Sequence, residues 1–564
     1  MIFNSRIPDV FIPNVDISTY CLSKGKASHD SLMMKTDYCI KDYYTKRSFS
    51  IIDLEVYSAG LASGLMNNLN FKKDDVLAIF SQNSIFYPIA IFGTLMTGGV
   101  VTLANPTYNA RELAHQLKDS GATIIATQSA LLDTVKGAIS LGNFDIPDSK
   151  IMLIDTCKNE ADEAQHISDI YSDLPFTRYI INDQFEAENK IAVLSYSSGT
   201  TGLSKGVMLT HKNILTSVII TSDFSYADGQ YDRSVAPPVF VSMLPFYHIY
   251  GLVANLFIGI VYSIGMVVLP KFDIHSFLKL IQDERVTFAH IVPPTIVSMI
   301  NEPATGKYDL SSLRFAMTGA APLGKEVLAR FCQKFKNVSI IRSYGLTEAS
   351  PTICISGKNY PFDGSSGVLL SNTQAKVVDE NGVIVGVGQV GELCFRGTNI
   401  MKGYLNNPKS TKDTIDSDGF LHTGDIGYLD EKTNIFIVDR MKELIKYKGF
   451  QVAPAELESL LLLHDDVAES AVIGIYHENM ATELPKAFVT LTSLNTTLTG
   501  SQKIEKANQV LTWINGQVAP HKKLRGGIQV VDVIPKSASG KILRRELRDA
   551  EKKKLYSLEK ASKL

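Results

Sequence analysis

Short, unbroken apolar runs along this chain alternate with stretches whose apolar positions recur at helical spacing. Val76–Phe80, Thr123–Thr127, Ile151–Asp155 and Ile191–Leu194 are runs without a polar alternation, the pattern of strands covered on both faces in a parallel sheet. Between them Arg111–Ser120 gathers its apolar residues on one side of a helix. Strand and helix in alternation predict a doubly wound α/β body for at least the first third of the chain. Further on, Gln374–Val378, Gly391–Arg396 and Ile435–Val438 have strand character, with Asn381–Gly382 as a turn, and predict a smaller β-rich piece. After Arg440 the pattern becomes compact α+β and ends in a basic tail.

Two windows, Ile85–Ala104 and Leu252–Leu269, are long and apolar enough to require a membrane test. Pro88, Gly98, Gly99 and three threonines interrupt the first; Asn255, Ser263 and glycines interrupt the second. Each therefore reads as a buried helix running into a buried strand, and no transmembrane segment is expected. With 564 residues, 45% hydrophobic and 20% charged, the chain should form more than one domain. Lys+Arg 56 against Asp+Glu 58 leaves no global basic field for nucleic acid. The 6 cysteines lack C-x-x-C spacing, which argues for reduced intracellular thiols and against a structural zinc. Met1–Asp16 carries Pro8, Asp9 and Pro13 and no basic region leading into an apolar core, so no secretory signal is expected. Ser562-Lys563-Leu564 follows a charged stretch from Glu551 to Lys560 and has the form of a receptor-read peroxisomal address. A peroxisomal matrix location and an import receptor as partner are the expectation.

Candidate chemistry concentrates between Leu194 and His211, where hydroxyls, glycines and one lysine lie between two apolar strand-like runs. Gly199, Gly202 and Gly206 allow close backbone approach, Ser197, Ser198, Thr200 and Thr201 supply hydroxyl donors, and Lys205 supplies a mobile positive charge. A Walker loop needs its lysine directly after the second glycine, whereas Leu203 and Ser204 intervene here, so a P-loop NTPase is disfavoured. The alternative is a flexible Ser/Gly/Thr linker; strand-like flanks and a helix opening near Thr210 or His211 weigh against it.

Ser197 through Gly206 closely resembles the defining loop of the adenylate-forming superfamily of acyl-CoA synthetases, 4-coumarate:CoA ligases and firefly luciferases. Further blocks follow in the family's order over essentially the whole chain, most like the 4-coumarate:CoA ligase-like members. The resemblance implies a large N-terminal domain over residues 1–440, with stacked α/β subdomains and a β-rich subdomain, and a small mobile α+β domain over 441–564. It also implies ATP, Mg²⁺ and coenzyme A acting on a small carboxylic acid.

Residue by residue, Tyr344-Gly345-Leu346-Thr347-Glu348 matches the second signature, in which the threonine contacts the adenylate phosphate and the glutamate holds Mg²⁺, as suits a hard carboxylate. In isolation Thr347 and Glu348 read equally as a helix cap and its first-turn acid. Asp425, closing Gly419-Phe420-Leu421-His422-Thr423-Gly424-Asp425, would accept both ribose hydroxyls; alone it is an ordinary turn aspartate. Within Val438–Gln451, Arg440 would contact the nucleotide, Lys442 would be the pivot, Lys446 would serve catalysis and the acyl group, and Lys448-Gly449 would lie beside coenzyme A. Lys446 and Lys448 taken singly also read as a basic surface. Lys541, after Ser537-Ala538-Ser539-Gly540, matches the catalytic lysine, whose ammonium would neutralise charge between carboxylate and α-phosphate. His248 resembles the gate between acyl pocket and thiol tunnel, and Lys271 a coenzyme A contact.

The resemblance builds the acyl pocket from His248, Tyr250, Ala254, Ala320, Ser343, Ile355, Lys442 and Lys446. Ala254 replaces a pocket serine, and Arg342-Ser343 replace the usual Gln-Gly, a departure from strict hydroxycinnamate specificity. Arg342 and Ser343 also fall among the expected nucleotide contacts. Arg342 has the chemistry to hold a second substrate carboxylate; a surface arginine or a partner to a structural acid is the plainer alternative. Three classes follow: a carboxylate:CoA ligase for aromatic, aliphatic or dicarboxylic acids, a luciferase-like adenylating oxygenase, and a non-catalytic binder. The binder would be expected to have lost Lys541 or Glu348, and both are present.

Overall fold

The structure, a computed structural model, describes residues 1–31, 35–159, 164–197, 204–231, 236–321, 324–360, 364–441, 443–448, 450–477, 480, 482–492, 498–537 and 540–562. Val76–Phe80, buried at every position, lies at the heart of a sheet that counts eight strands among the described residues. It pairs in parallel with Val100–Ala104 on one side and Ala122–Thr127 on the other, and Ile151–Leu153 and Ile191–Ser197 extend the sheet. The predicted strands are therefore present, the third ending two residues early. The two apolar windows resolve as helix into strand: Tyr87–Met96 leads into Val100–Ala104, and Gly251–Val261 leads into Gly265–Val268. Among the described residues no helix is long and apolar enough to cross a membrane.

A second sheet sets six parallel strands side by side, Ile40–Asp42, Gly265–Val268, Val239–Ser242, Phe288–Ile291, Phe315–Thr318 and Ser339–Gly345, and then turns antiparallel at Thr352–Ile355. Carboxyl ends of parallel strands are where α/β proteins bind ligands, and Thr318 and Gly345 stand at two such ends. The β-rich piece is an antiparallel sheet of Thr373–Val378, Gly391–Gly397, Leu421–Leu429 and Ile435–Arg440. Its outer strand is Ile2–Asn4, so the chain's first residues close a sheet built some 370 positions later, with Ile2 opposite Lys376.

After Arg440 a small lobe has its own core, including Val452, Leu457, Val472, Val489 and Ile514. The hairpin of Val467–His477 and Thr482–Leu491, with Ile528–Val530 alongside, packs against helices Pro454–Leu461 and Gly500–Gln517. Between the lobes, Gln451 donates to Glu380 at 2.9 Å, Arg330 donates to the Leu462 carbonyl at 3.4 Å, and the Ala455 N–H donates to Asp439 at 3.2 Å. All six cysteines are free thiols, four of them buried.

The helix after the glycine loop, His211–Ala227, is capped by Thr210, whose hydroxyl accepts from the Asn213 N–H at 3.1 Å while Asn213 Oδ1 accepts from the Thr210 N–H at 2.9 Å. Both residues are buried, so no water replaces a lost cap. Thr210→Ala is expected to lower stability by about 1–2 kcal/mol, read as a shift of the urea midpoint at unchanged slope; an unshifted midpoint contradicts the assignment.

Candidate active site

Strand alternation decides what Phe315–Thr318 and Ser339–Gly345 present to each side. Met317 and Ile341 enter one core, whereas Ala316 and Ile340 face the other. Ser343 shares the first face with Met317, whose carbonyl accepts from Tyr250 Oη at 3.3 Å. Arg342 shares the second, beside Thr318, its partner in register. Both open onto a cavity of about 890 Å³ between the lobes, whose walls also include Ala320, Asp425, Arg440 and Lys541. Arg342 is thus a part-buried residue of the cavity wall whose side chain leaves the strand on the face opposite to that of Ser343, because adjacent strand residues point to opposite faces.

Asp425 is almost wholly buried and held on both oxygens. Tyr344 Oη donates to Oδ2 at 2.6 Å, and Arg440 Nε lies 3.2 Å from Oδ1. Asp425 and Arg440 face each other across the last antiparallel pair of the β-rich sheet, so the pairing register fixes their contact. Ala320 adopts a left-handed backbone, φ 69°, a conformation costing about 1–2 kcal/mol for a residue with a Cβ. Such strain collects at ligand sites.

Lys541 reaches the cavity from the small lobe on a tight loop. The Gly540 N–H donates to the Ser537 carbonyl at 2.8 Å, the Lys541 N–H to Ser537 Oγ at 3.2 Å, and Ser537 N–H to the Lys541 carbonyl at 2.8 Å. Gly540 has φ 78°, and a Cβ there would lie 3.2 Å from Val292 Cγ2, so glycine is needed for both conformation and approach. Burial, with the neighbouring Arg440 guanidinium second, lowers the Lys541 ammonium to about 8. His248, partly buried beside the loop in the folded chain, is pushed down to about 4, chiefly by burial and then by the Lys541 charge. It is a neutral imidazole whose Nδ1 accepts from the Tyr250 N–H at 3.3 Å.

At the cavity's flank Glu348 Oε1 accepts from Ser197 Oγ at 3.1 Å and from Tyr404 Oη at 2.9 Å. Lys205 donates to Ser410 and sits 4.8 Å above the Tyr404 ring, and Glu348 contributes to the charge environment of Arg440. Thr347 precedes Glu348 in a 3₁₀ turn. These oxygen donors fit Mg²⁺, which takes one or two carboxylates besides substrate phosphates.

Other expected residues lie elsewhere. Ala254 and Ile355 are buried in the large core with Tyr250. Lys446, Lys448 and Lys271 are exposed and outside the cavity; in strand Ile445–Tyr447 the two apolar residues turn inward, which sends Lys446 to solvent. Ser198, Gly199, Thr200, Thr201, Lys442, Gly449, Lys563 and Leu564 lie outside the described residues. Tyr344 and Thr318 line the cavity without having been singled out in the sequence. Tyr344 stands inside a recognised motif, but only the fold shows that its hydroxyl meets a residue 81 positions away.

The loop of Lys541 is anchored behind by Arg544, which makes two bonds to Glu458, at 2.9 and 2.7 Å, through Nη2 and a third through Nε at 3.1 Å, and pairs with Glu443 through Nη1.

These features place the chain among proteins that bind nucleotides between a large α/β lobe and a small one, and the chain belongs to the AMP-binding enzyme family. The family's pattern matches residues 34–405, and that of its C-terminal domain residues 456–541. It is 39% identical over 560 residues to 4-coumarate–CoA ligase 1 of Petroselinum crispum, covering 97% of this chain and 96% of that protein. Among solved structures, MatB from Rhodopseudomonas palustris bound to ATP matches with a TM-score of 0.76 at 26% identity, over 94% of this chain and 98% of that one. An anthranilate CoA ligase in complex with anthranoyl-AMP shares the fold, with a TM-score of 0.82 at 21% identity over 97% and 99%.

Arg544→Leu would leave Glu443 and Glu458 as buried, uncompensated carboxylates. It is expected to destabilise the small lobe by about 3–5 kcal/mol, with Glu458→Gln recovering part of the loss in the double variant. Wild-type unfolding by calorimetry would contradict this.

Proposed function

We propose that this protein is an ATP-dependent carboxylate:CoA ligase that activates an organic acid as its acyl adenylate and passes the acyl group to coenzyme A. The observation that carries the reading is the meeting of Lys541 with Asp425 and Arg440 in one cavity. Full-length similarity to 4-coumarate–CoA ligases supports the choice of thioester product.

In this reading Asp425, held by Tyr344, accepts from the ribose, and Arg440 lies against the nucleotide. Thr347 donates to the α-phosphate. Glu348 would hold Mg²⁺, which neutralises phosphate charge when bound. The acid enters on the side of Tyr250, Ala254, Ser343 and Ile355, with His248 at the passage. Its carboxylate attacks the α-phosphate, pyrophosphate leaves, and the Lys541 ammonium balances the charge that develops between them. The small lobe then turns about Lys442, withdrawing Lys541 and bringing Lys446, Lys448 and Gly449 to the site. The thiolate of coenzyme A, reaching along Lys271, attacks the acyl carbon and AMP leaves. Such a rotation lets one site serve two half-reactions.

Tyr250 packs edge-on against His290, which in turn meets Phe240 and Phe288; this aromatic cluster and the similarity to 4-coumarate–CoA ligases support an aromatic acid as the first to try. A panel of aromatic, fatty and dicarboxylic acids, assayed for AMP release with and without coenzyme A, tests the function. AMP release from no acid refutes it, and light emission with luciferin would favour an oxygenase. We also propose peroxisomal import through Ser562-Lys563-Leu564, supported by the tripeptide itself and testable by import-receptor binding to the full chain.

Lys541→Ala is expected to slow adenylation by about 10²- to 10³-fold, measured by pyrophosphate exchange, with much less effect on thioester formation from a supplied acyl adenylate. The ammonium is present below its lowered value and lost above it. Adenylation kcat/KM, which reports the free enzyme, should therefore fall as pH rises through about 8; a profile still flat about 1.5 pH units beyond that value contradicts the assignment.

A further inference from the structure

The turn that presents Asp425 is braced from behind, outside the cavity, by a chain of charged groups. Glu392 accepts from the Gly424 N–H with Oε1 at 2.8 Å and from His422 Nδ1 with Oε2 at 2.8 Å. On its other side, His422 Nε2 lies 3.4 Å from Asp416 Oδ2, and that carboxylate is paired with Lys376 at 2.6 Å. Asp416 Oδ1 also accepts from the N–H groups of Asp418 and Phe420, both at 2.9 Å. Thr423 completes the brace: its hydroxyl donates to the Leu393 carbonyl at 2.7 Å and accepts from the Asp425 N–H at 3.0 Å. The three residues before Asp425 are thus tied to the neighbouring strand and loop.

Glu392, Cys394 and His422 have the composition of a metal site, with ligand atoms within 4.8 Å of one another. The surroundings favour a proton instead. Glu392 Oε1 is committed to a backbone N–H, burial raises the Cys394 thiol far above its ordinary range, and the Lys376 ammonium stands at the Asp416 end. The charged and titratable groups facing the imidazole are therefore Glu392 and Cys394 from one strand and Asp416 from the loop before it, with Lys376 behind Asp416. Arg396 lies farther off, over Phe420 at 4.5 Å. The hydrogen bond to Glu392 is the largest of the influences that hold His422 above the ordinary histidine range.

We propose that His422, as an imidazolium bridging Glu392 and Asp416, is a positioning residue that holds the 419–425 turn so that Asp425 meets the nucleotide ribose. A neutral imidazole has a single N–H and satisfies only one of the two carboxylates. Loss of the proton therefore releases one end of the brace, and nucleotide affinity falls as pH rises through the raised value. The proposal rests on the reading of Asp425 as the ribose anchor.

The test is AMP binding by calorimetry to the full chain between about pH 6.5 and 9, a window spanning the ordinary histidine value and the range above it, for wild type, His422→Gln and Asp425→Asn. Titration of Lys541 is common to all three. His422→Gln is expected to bind about three- to tenfold more weakly at the acid end, the size of one lost hydrogen bond, and to converge on wild type at the alkaline end. Asp425→Asn should be weaker throughout. A deficit in His422→Gln that is absent, or constant across pH, overturns the proposal. Failure of wild type to bind AMP, or wild-type affinity in Asp425→Asn, refutes the underlying reading instead. Should His422→Gln not fold, His422→Arg keeps the cation at every pH and is expected to flatten the wild-type decline; an unaltered decline overturns the proposal.

Discussion

A lysine ammonium carried on a tight loop into a cavity that already holds Arg440 is the constraint around which the lobes are arranged. Two cations in a partly dry site repel each other, and burial alone disfavours the charge; both effects act on Lys541. Asp425 and Glu443 offset part of this. Nucleotide phosphates would supply the remainder, so the site is electrostatically incomplete in the way a polyphosphate-binding site should be. Gly540 against Val292 and Pro294 delivers the loop, and Arg544 fixes its base to Glu443 and Glu458.

That arrangement divides labour between rigid and movable parts. Asp425, Tyr344, Ala320 and Arg342 stand on strands or at strand ends of the large lobe, where pairing register sets their spacing. Lys541 is carried by the small lobe, which meets the large one through Gly540 against Val292 and a few hydrogen bonds such as that of Gln451 to Glu380, and this is compatible with withdrawal. In the same orientation Lys446 and Lys448 face solvent on a hairpin whose Gln451 docks on Glu380. The proposed second half-reaction needs that docking to break.

Legibility in the sequence followed the range of the interactions. Val76–Phe80 was readable because a strand buried on both faces must be apolar throughout, and the Thr210 cap because its partner is three residues away. The pairing of Ile2–Asn4 with residues 374–376 was not, since no local pattern names a partner across most of the chain. At the site, Lys541, Asp425 and Arg440 were legible through motif resemblance. The direction of Arg342 was not, because it depends on which face of the sheet each core occupies. His422 looked like part of a turn until Glu392 and Asp416 were placed around it.

The most direct test of the account is a crosslink across the lobes. Gln451 and Glu380, exposed partners across the lobes, can be bridged without altering the cavity. In a background with exposed Cys157 and Cys332 replaced by serine, the Glu380→Cys, Gln451→Cys variant should be joined readily by a short bifunctional methanethiosulfonate. The joined protein should keep acid-dependent pyrophosphate exchange, lose thioester formation, and regain it on reduction. Failure to join, or thioester formation at an undiminished rate in the joined protein, would contradict the claim that this docking of the lobes is the adenylating state.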